Sequence, residues 1–372
     1  MKIHLKKFVL GQVTLMFALA CFALAPLIHA QCPQICDDNM NTALGDDALV
    51  NNTSGTGDTA IGASALTSNT TAFSNTATGS RALLSNTIGS ENTAIGESAL
   101  ASNINGGDNT ASGHSALQFN TSGNLNTAVG ADALVFNTTG SFNTATGVLA
   151  LLNNTTAYYN TAAGYSALTS NTTGGNNTAT GALALILNKT GSNNTATGVN
   201  ALFDNSVGNN NTGTGFGALV SNWRGSNNTA NGVDALSSNT TGSRNVAEGI
   251  DALTNNTTGS GNIALGEGAG KNLTIGDHNI DIGNRGIVAE ANTIRIGRIG
   301  TQTDAFIAGI SGAMVPAGVG VIVGTNGQLG TIVSSARFKD DIKPMEKASE
   351  AVLALQPVTF QYKKELDPEG IP

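Results

Sequence analysis

The sequence predicts an all-β fold built on a parallel β-solenoid, and three observations carry the prediction. A glycine recurs every seventeen residues, from Gly45, Gly62 and Gly79 through Gly130 and Gly147 to Gly266, fourteen times without a slip. A fixed period this short belongs to solenoids and repeat arrays. The unit is filled by Asn, Thr, Ala and Gly; seventeen residues are too few for a helix pair, and Gly, Asn and Thr are poor helix formers, so each coil must be β. Charged residues make up only 11% of the 372 residues, beside 47 Gly and one Trp, whereas an ordinary globular domain has about 25% charged residues.

In chain order, Lys2, Lys6 and Lys7 precede an apolar run from Phe8 to Ile28 that ends in Ala30, the pattern of a secretory signal peptide over residues 1–30. An uncleaved membrane anchor is the alternative for the same run. The chain is therefore expected to be exported, either secreted or displayed at the cell surface. Residues 31–40 read as an N-terminal cap segment holding Cys32 and Cys36, which an oxidising compartment permits to pair and which otherwise stay idle.

From 41 to 276 the unit reads Asn-Thr-Ala-x-Gly-x-x-Ala-Leu-x-x-Asn-x-x-Gly-x-x, as in Asn126-Thr127-Ala128-Val129-Gly130 followed by Ala133-Leu134, Asn137 and Gly140. Side chains alternate along a strand. The Ala two before each glycine must therefore face inward, and the variable residue just before the glycine outward. Stacking then lines up the Leu four after each glycine, from Leu49 to Leu253, as the spine of the core. Each buried Leu contributes roughly 1.5–3 kcal/mol, but Ala and Gly contribute little, so one roll has a thin core that self-association would thicken.

The Asn seven after the glycine, as at Asn52, Asn137 and Asn239, is expected at a tight corner because Asn tolerates left-handed backbone. Gly55, Gly89 and Gly140 are expected at a second corner. With coils about 4.8 Å apart, the units make a rod of roughly 65 Å, a spacer or display surface. The many Asn-x-Thr triplets match the glycosylation acceptor pattern, but they recur because the repeat contains them. Pairs such as Thr144/Thr146, Thr178/Thr180 and Thr195/Thr197 present threonines in ranks of the kind that could bind ice, interrupted at Leu44, Asn231 and Glu248.

Residues 277–333 read as a β-rich connector. Ile280-Asp281-Ile282 and Ile294-Arg295-Ile296 keep the strand alternation, and Val319, Val321 and Val323, then Asn326-Gly327, then Leu329 and Ile332 spell a hairpin. At Ser334-Ser335-Ala336-Arg337-Phe338-Lys339 charge density rises and a new, small α+β segment begins, 334–372. Met345, Ala348, Val352 and Leu355 have helical spacing, Pro357 ends it, and Val358, Phe360 and Tyr362 alternate as a strand.

The same arithmetic excludes several functions. Seventeen Lys+Arg against 25 Asp+Glu, a net charge of −8 and a pI near 4.9 argue against nucleic acid as a partner. Beyond the signal only His114 and His278 remain, which starves Ser-His-Asp, Cys-His and metal schemes alike, and no Gly-rich phosphate loop with its lysine occurs. No cofactor is expected.

The seventeen-residue unit resembles, over roughly Asn41 to Gly283, the head repeats of trimeric autotransporter adhesins (YadA-like). That family's shorter Asn-x-x-Ala-x-Gly units wind into left-handed β-rolls and associate as trimers. The likeness implies a left-handed roll, a homotrimer and an adhesive or spacer role toward a host surface or carbohydrate ligand; the family's C-terminal membrane barrel has no counterpart here.

Ser334, Arg337, Lys339 and Ile342, with Pro357-Val358, Phe360 and Tyr362, resemble the opening of the endosialidase-type intramolecular chaperone, the self-cleaving end domain of phage tail spikes and fibres. The resemblance implies Ser334 as nucleophile and Lys339 as its general base, with Ser335 standing where the family usually has Asp. Residues 334–372 are expected to be only the start of such a domain, the remainder helping to bury Lys339. The whole then reads as an exported trimeric fibre whose terminal chaperone assists trimerisation and cuts itself off. The alternatives are a purely structural surface protein without cleavage and an ice-binding solenoid.

Overall fold

The computed structural model describes residues 34–307 and 320–331 and divides the chain into two units, one ending at Arg298 and the other beginning at Ile299. The first unit is a parallel β-solenoid, and no helix occurs among the described residues. Sixteen strands of three residues stack in one parallel ladder. They start at β2 (Thr42–Leu44) and β3 (Thr59–Ile61) and reach β13 (Thr229–Asn231), β14 (Val246–Glu248), β15 (Ile263–Leu265), β16 (Ile280–Ile282) and β17 (Ile294–Ile296). Each residue pairs with its equivalent one repeat later, as Thr127 with Thr144 and Ala128 with Ala145. The ladder therefore continues past residue 276 through two further strands, the last after a shortened coil of 14 residues. From β2 to β17 it extends about 70 Å, given a strand spacing of roughly 4.8 Å.

The inward alternation is as the sequence requires. Ala is the middle residue of every strand from β2 to β15 except at Gly213, and Ala128, Ala133 and Leu134 have no exposed surface. The leucine column runs unbroken from Leu49 to Leu253.

The corners are built differently from the expectation. Asn137 and its equivalents are not left-handed; the positive φ angles fall instead at Asp132 (56°), Leu134 (54°) and Phe142 (61°), and at the same positions in most other coils. Left-handed backbone costs a non-glycine residue about 1–2 kcal/mol. Burying the leucine returns roughly 1.5–3 kcal/mol, so the core side chain holds its own backbone in the strained turn. The asparagines are freed for another task. Asn137 donates through Nδ2 to Asn120 Oδ1 at 2.8 Å and to the Gly140 carbonyl at 2.9 Å, and its Oδ1 accepts from Asn154 Nδ2 at 2.9 Å. Repeated coil after coil, these bonds make a fully buried asparagine ladder.

A second ladder follows the Asn four before each glycine. Asn126 Nδ2 reaches Asn109 Oδ1 at 3.1 Å and Gly140 O at 2.9 Å, while its Oδ1 takes the Asn143 backbone N–H and Nδ2, both at 3.1 Å. Two donors and two acceptor sites exhaust what an amide side chain offers. The buried Asn137 that opens the Asn137-Thr138-Thr139 triplet is thus a ladder residue, with its amide nitrogen already committed.

Glycine at the repeat's fixed position is required for two reasons. Gly130 has φ 133°, and a Cβ there would stand 2.6 Å from the Gly147 carbonyl oxygen of the next coil. Gly140 and its equivalents are not left-handed; a Cβ there would press on the neighbouring carbonyl and on Asn137 Oδ1. Coils with Ala72 and Ala157 at that position nonetheless accommodate a methyl group.

The ends of the ladder are distinct. β1 (Gln34–Cys36) lies antiparallel on β2 and occupies its free edge, which would otherwise template further pairing. Cys36 belongs to this strand, and Cys32 lies outside the described residues. In the second unit, β18 (Val321–Val323) and β19 (Leu329–Thr331) pair antiparallel, as the alternation at 318–333 anticipates. The turn is closed by Gly327 N–H to Gly324 O and by Gln328 N–H to Asn326 Oδ1.

Candidate functional site

Ser334 and Lys339, with the helix and strand expected at 344–362, lie outside the described residues, as does the apolar run of 1–30. The described residues offer exposed faces and two buried carboxylates, Asp58 and Asp281. Among the described residues no three His, Cys, Asp or Glu side chains approach closely enough to hold a metal ion.

The outward face of the parallel sheet carries the first and third residue of every strand. Thr fills the first position in all strands from β2 to β13, and the pairs Thr144/Thr146, Thr178/Thr180 and Thr195/Thr197 stand in ranks. On the turns, aromatic side chains from successive coils stack in the open: Phe142 on Tyr159 with centroids 4.8 Å apart, and Phe119 on Phe136 at 5.6 Å. Arg224 lies 4.0 Å above the Trp223 ring.

At the C-terminal end, Asp281 occupies the inward strand position that Ala holds in the preceding coil, 1% exposed, with neither carboxylate oxygen hydrogen-bonded. Arg295 follows at the same position in β17 and forks onto Glu290, Nε–Oε1 2.9 Å and Nη2–Oε2 2.7 Å. Burial, helped by the negative charge of Glu290 and opposed by Arg295, pushes the Asp281 pKa from the ordinary 3.8 to about 6. The charged residues end the apolar column. The signal was present in the sequence at Ile280-Asp281-Ile282, where the inward position turns acidic.

The sign of the pH effect follows from a folded pKa above the unfolded one. Below about pH 4 both states hold the proton and the last coils are at their most stable. As pH rises toward 6 the unfolded chain releases the proton first, and above 6 the full cost, about 3 kcal/mol, is in force. Amide hydrogen exchange at Ile280 and Ile282 is therefore expected to slow, after correction for intrinsic rates, between pH 7 and pH 5. Asp281→Asn is expected to remove that change; an unaltered pH response in the variant would assign it elsewhere.

Residues 334–371 match the family model described as chaperone of endosialidase. No curated protein and no solved structure matches the chain.

Proposed function

We propose that this chain is an exported homotrimeric fibre, adhesin- or tail-fibre-like, whose C-terminal domain assists trimerisation and then releases itself by autoproteolysis. The observation that carries the proposal is the chaperone match at 334–371 on the same chain as a long, regular β-solenoid. A solenoid of identical coils offers many near-equivalent registers to a partner chain. A domain that sets the register and then leaves answers that need. Export is supported by the signal-like run before Ala30, and an adhesive role by the exposed aromatic stacks facing a host surface or carbohydrate.

In the cleavage step, Ser334 Oγ adds to a neighbouring peptide carbonyl carbon while neutral Lys339 takes the hydroxyl proton. That proton passes to the departing amine as the peptide bond breaks, and water then hydrolyses the ester and restores the serine. Lysine serves as a base only when burial lowers its pKa, so cleavage waits for assembly.

The test uses the protein at its natural length. Mass spectrometry is expected to show a single cut beside Ser334 after trimer formation. Ser334→Ala and Lys339→Met are expected to abolish it while trimers still form, with Ser335→Ala cutting normally. A natural-length trimer that stays intact leaves a passive structural fibre; cleavage lost in Ser335→Ala but kept in Ser334→Ala moves the nucleophile by one residue.

A further inference from the structure

The last strands of the solenoid invert the polarity of the others. A sheet with one face in water keeps polar residues outward and apolar residues inward. In β15, β16 and β17 the outward pairs are Ile263 and Leu265, Ile280 and Ile282, Ile294 and Ile296, while the inward residue passes from Ala264 to Asp281 to Arg295. Ile294 is 66% and Ile296 73% exposed in the single chain. Aliphatic pairs on three adjacent strands face water, while the inward positions of the last two carry charge, buried at Asp281 and half-buried at Arg295.

The rest of the same face points the same way. Of the 32 outward positions on the sixteen parallel strands, Glu248 alone is charged. An exposed surface usually carries about 25–35% charged residues. This chain places its charges on the turn side instead, at residues such as Asp132, Asp234 and Asp251. The coils are poor in charge throughout, with none from 133 to 188, and the sheet face carries a single charge along its whole length.

We infer that the outward face of the parallel sheet is the surface through which identical chains pack, with β15–β17 as its apolar anchor. This rests on the homo-oligomeric reading above and assigns it a face. A second copy is the occupant the geometry fits. Only a solenoid with the same coil rise keeps aliphatic pairs opposite aliphatic pairs over three successive coils and threonine opposite threonine along the remainder. With one charge on the face, identical surfaces meet almost without repulsion. A strip about 70 Å long and about 10 Å wide presents roughly 700 Å², close to the ~800 Å² per partner of a stable interface.

The experiment is light scattering on the full chain, with circular dichroism to verify folding. Wild type is expected to be multimeric. Two face variants, Ile282→Lys with Ile296→Lys, and Thr178→Lys with Thr195→Lys, are expected to keep the β spectrum and weaken self-association on the order of a hundredfold, because they set unpaired like charges into the interface. The turn-side control Val199→Lys with Val233→Lys is expected to stay multimeric. If the isoleucine pair unfolds, the threonine pair decides. Face variants that associate like wild type overturn the assigned face and leave oligomerisation standing. A monomeric wild type at micromolar concentration overturns both, and thermal hysteresis from that monomer would give the threonine ranks to ice.

Discussion

Leu134→Asp is expected to break the solenoid at its middle coils. Leu134 is fully buried, holds φ at 54°, and its N–H donates to the Ala150 carbonyl at 3.0 Å. Losing the side chain forfeits roughly 1.5–3 kcal/mol of burial, and leaving a carboxylate in the alanine-leucine core costs several more. The sum, about 5 kcal/mol or more, is comparable to the whole stability of many domains. The backbone also loses what offsets its left-handed turn. Circular dichroism and urea unfolding of the repeat region check the result, with Val129→Thr as the exposed control, expected to shift stability by less than about 0.5 kcal/mol. An unchanged midpoint in Leu134→Asp would refute the leucine spine.

Asn126→Ala is expected to destabilise as well, for a polar reason. The change removes the acceptor of the Asn143 N–H and Nδ2 and the donor to the Gly140 carbonyl. The Asn143 N–H is left without a partner, while the Gly140 carbonyl keeps Asn137 Nδ2 and Asn143 Nδ2 keeps the Ala157 carbonyl; one such buried group costs about 1–3 kcal/mol, confined to the adjoining coils because each repeat touches only its neighbours. Hydrogen exchange, resolved coil by coil, locates the loss. Asp58 supplies the reciprocal case in the same ladder. Its carboxylate accepts from Asn75 N–H, Asn75 Nδ2 and Asn69 Nδ2, and burial, only partly opposed by these donors, raises its pKa. Asp58→Asn is expected to stabilise the first coils near neutral pH; destabilisation would mean that the ladder does not demand an amide there.

Much of this molecule is one-dimensional information. The period fixed the coil, and the Ala two before each glycine and the Leu four after it fixed what points inward, because alternation and burial are local consequences of residue type. The aliphatic positions Val321, Val323 and Leu329 marked the hairpin for the same reason. The opening of the chaperone segment was also legible, at Ser334, Arg337, Lys339 and Ile342, because its spacing lies within one short stretch.

The asparagines show where the sequence stops deciding. The residue type suits both a left-handed corner and a hydrogen-bonded ladder. Only stacking determines which, since the partner of Asn137 is Asn120, a full coil away. Asn137 therefore lies in the ladder, and Leu134, disfavoured locally, holds the corner because the burial of its side chain exceeds the cost of its backbone. Likewise Ile280-Asp281-Ile282 continues the strand pattern as a string of letters. That Asp281 is buried without a hydrogen bond, and that its flanking isoleucines join a sheet face with one charge, follows only when sixteen strands are brought into register, because burial and surface charge are properties of neighbours distant along the chain.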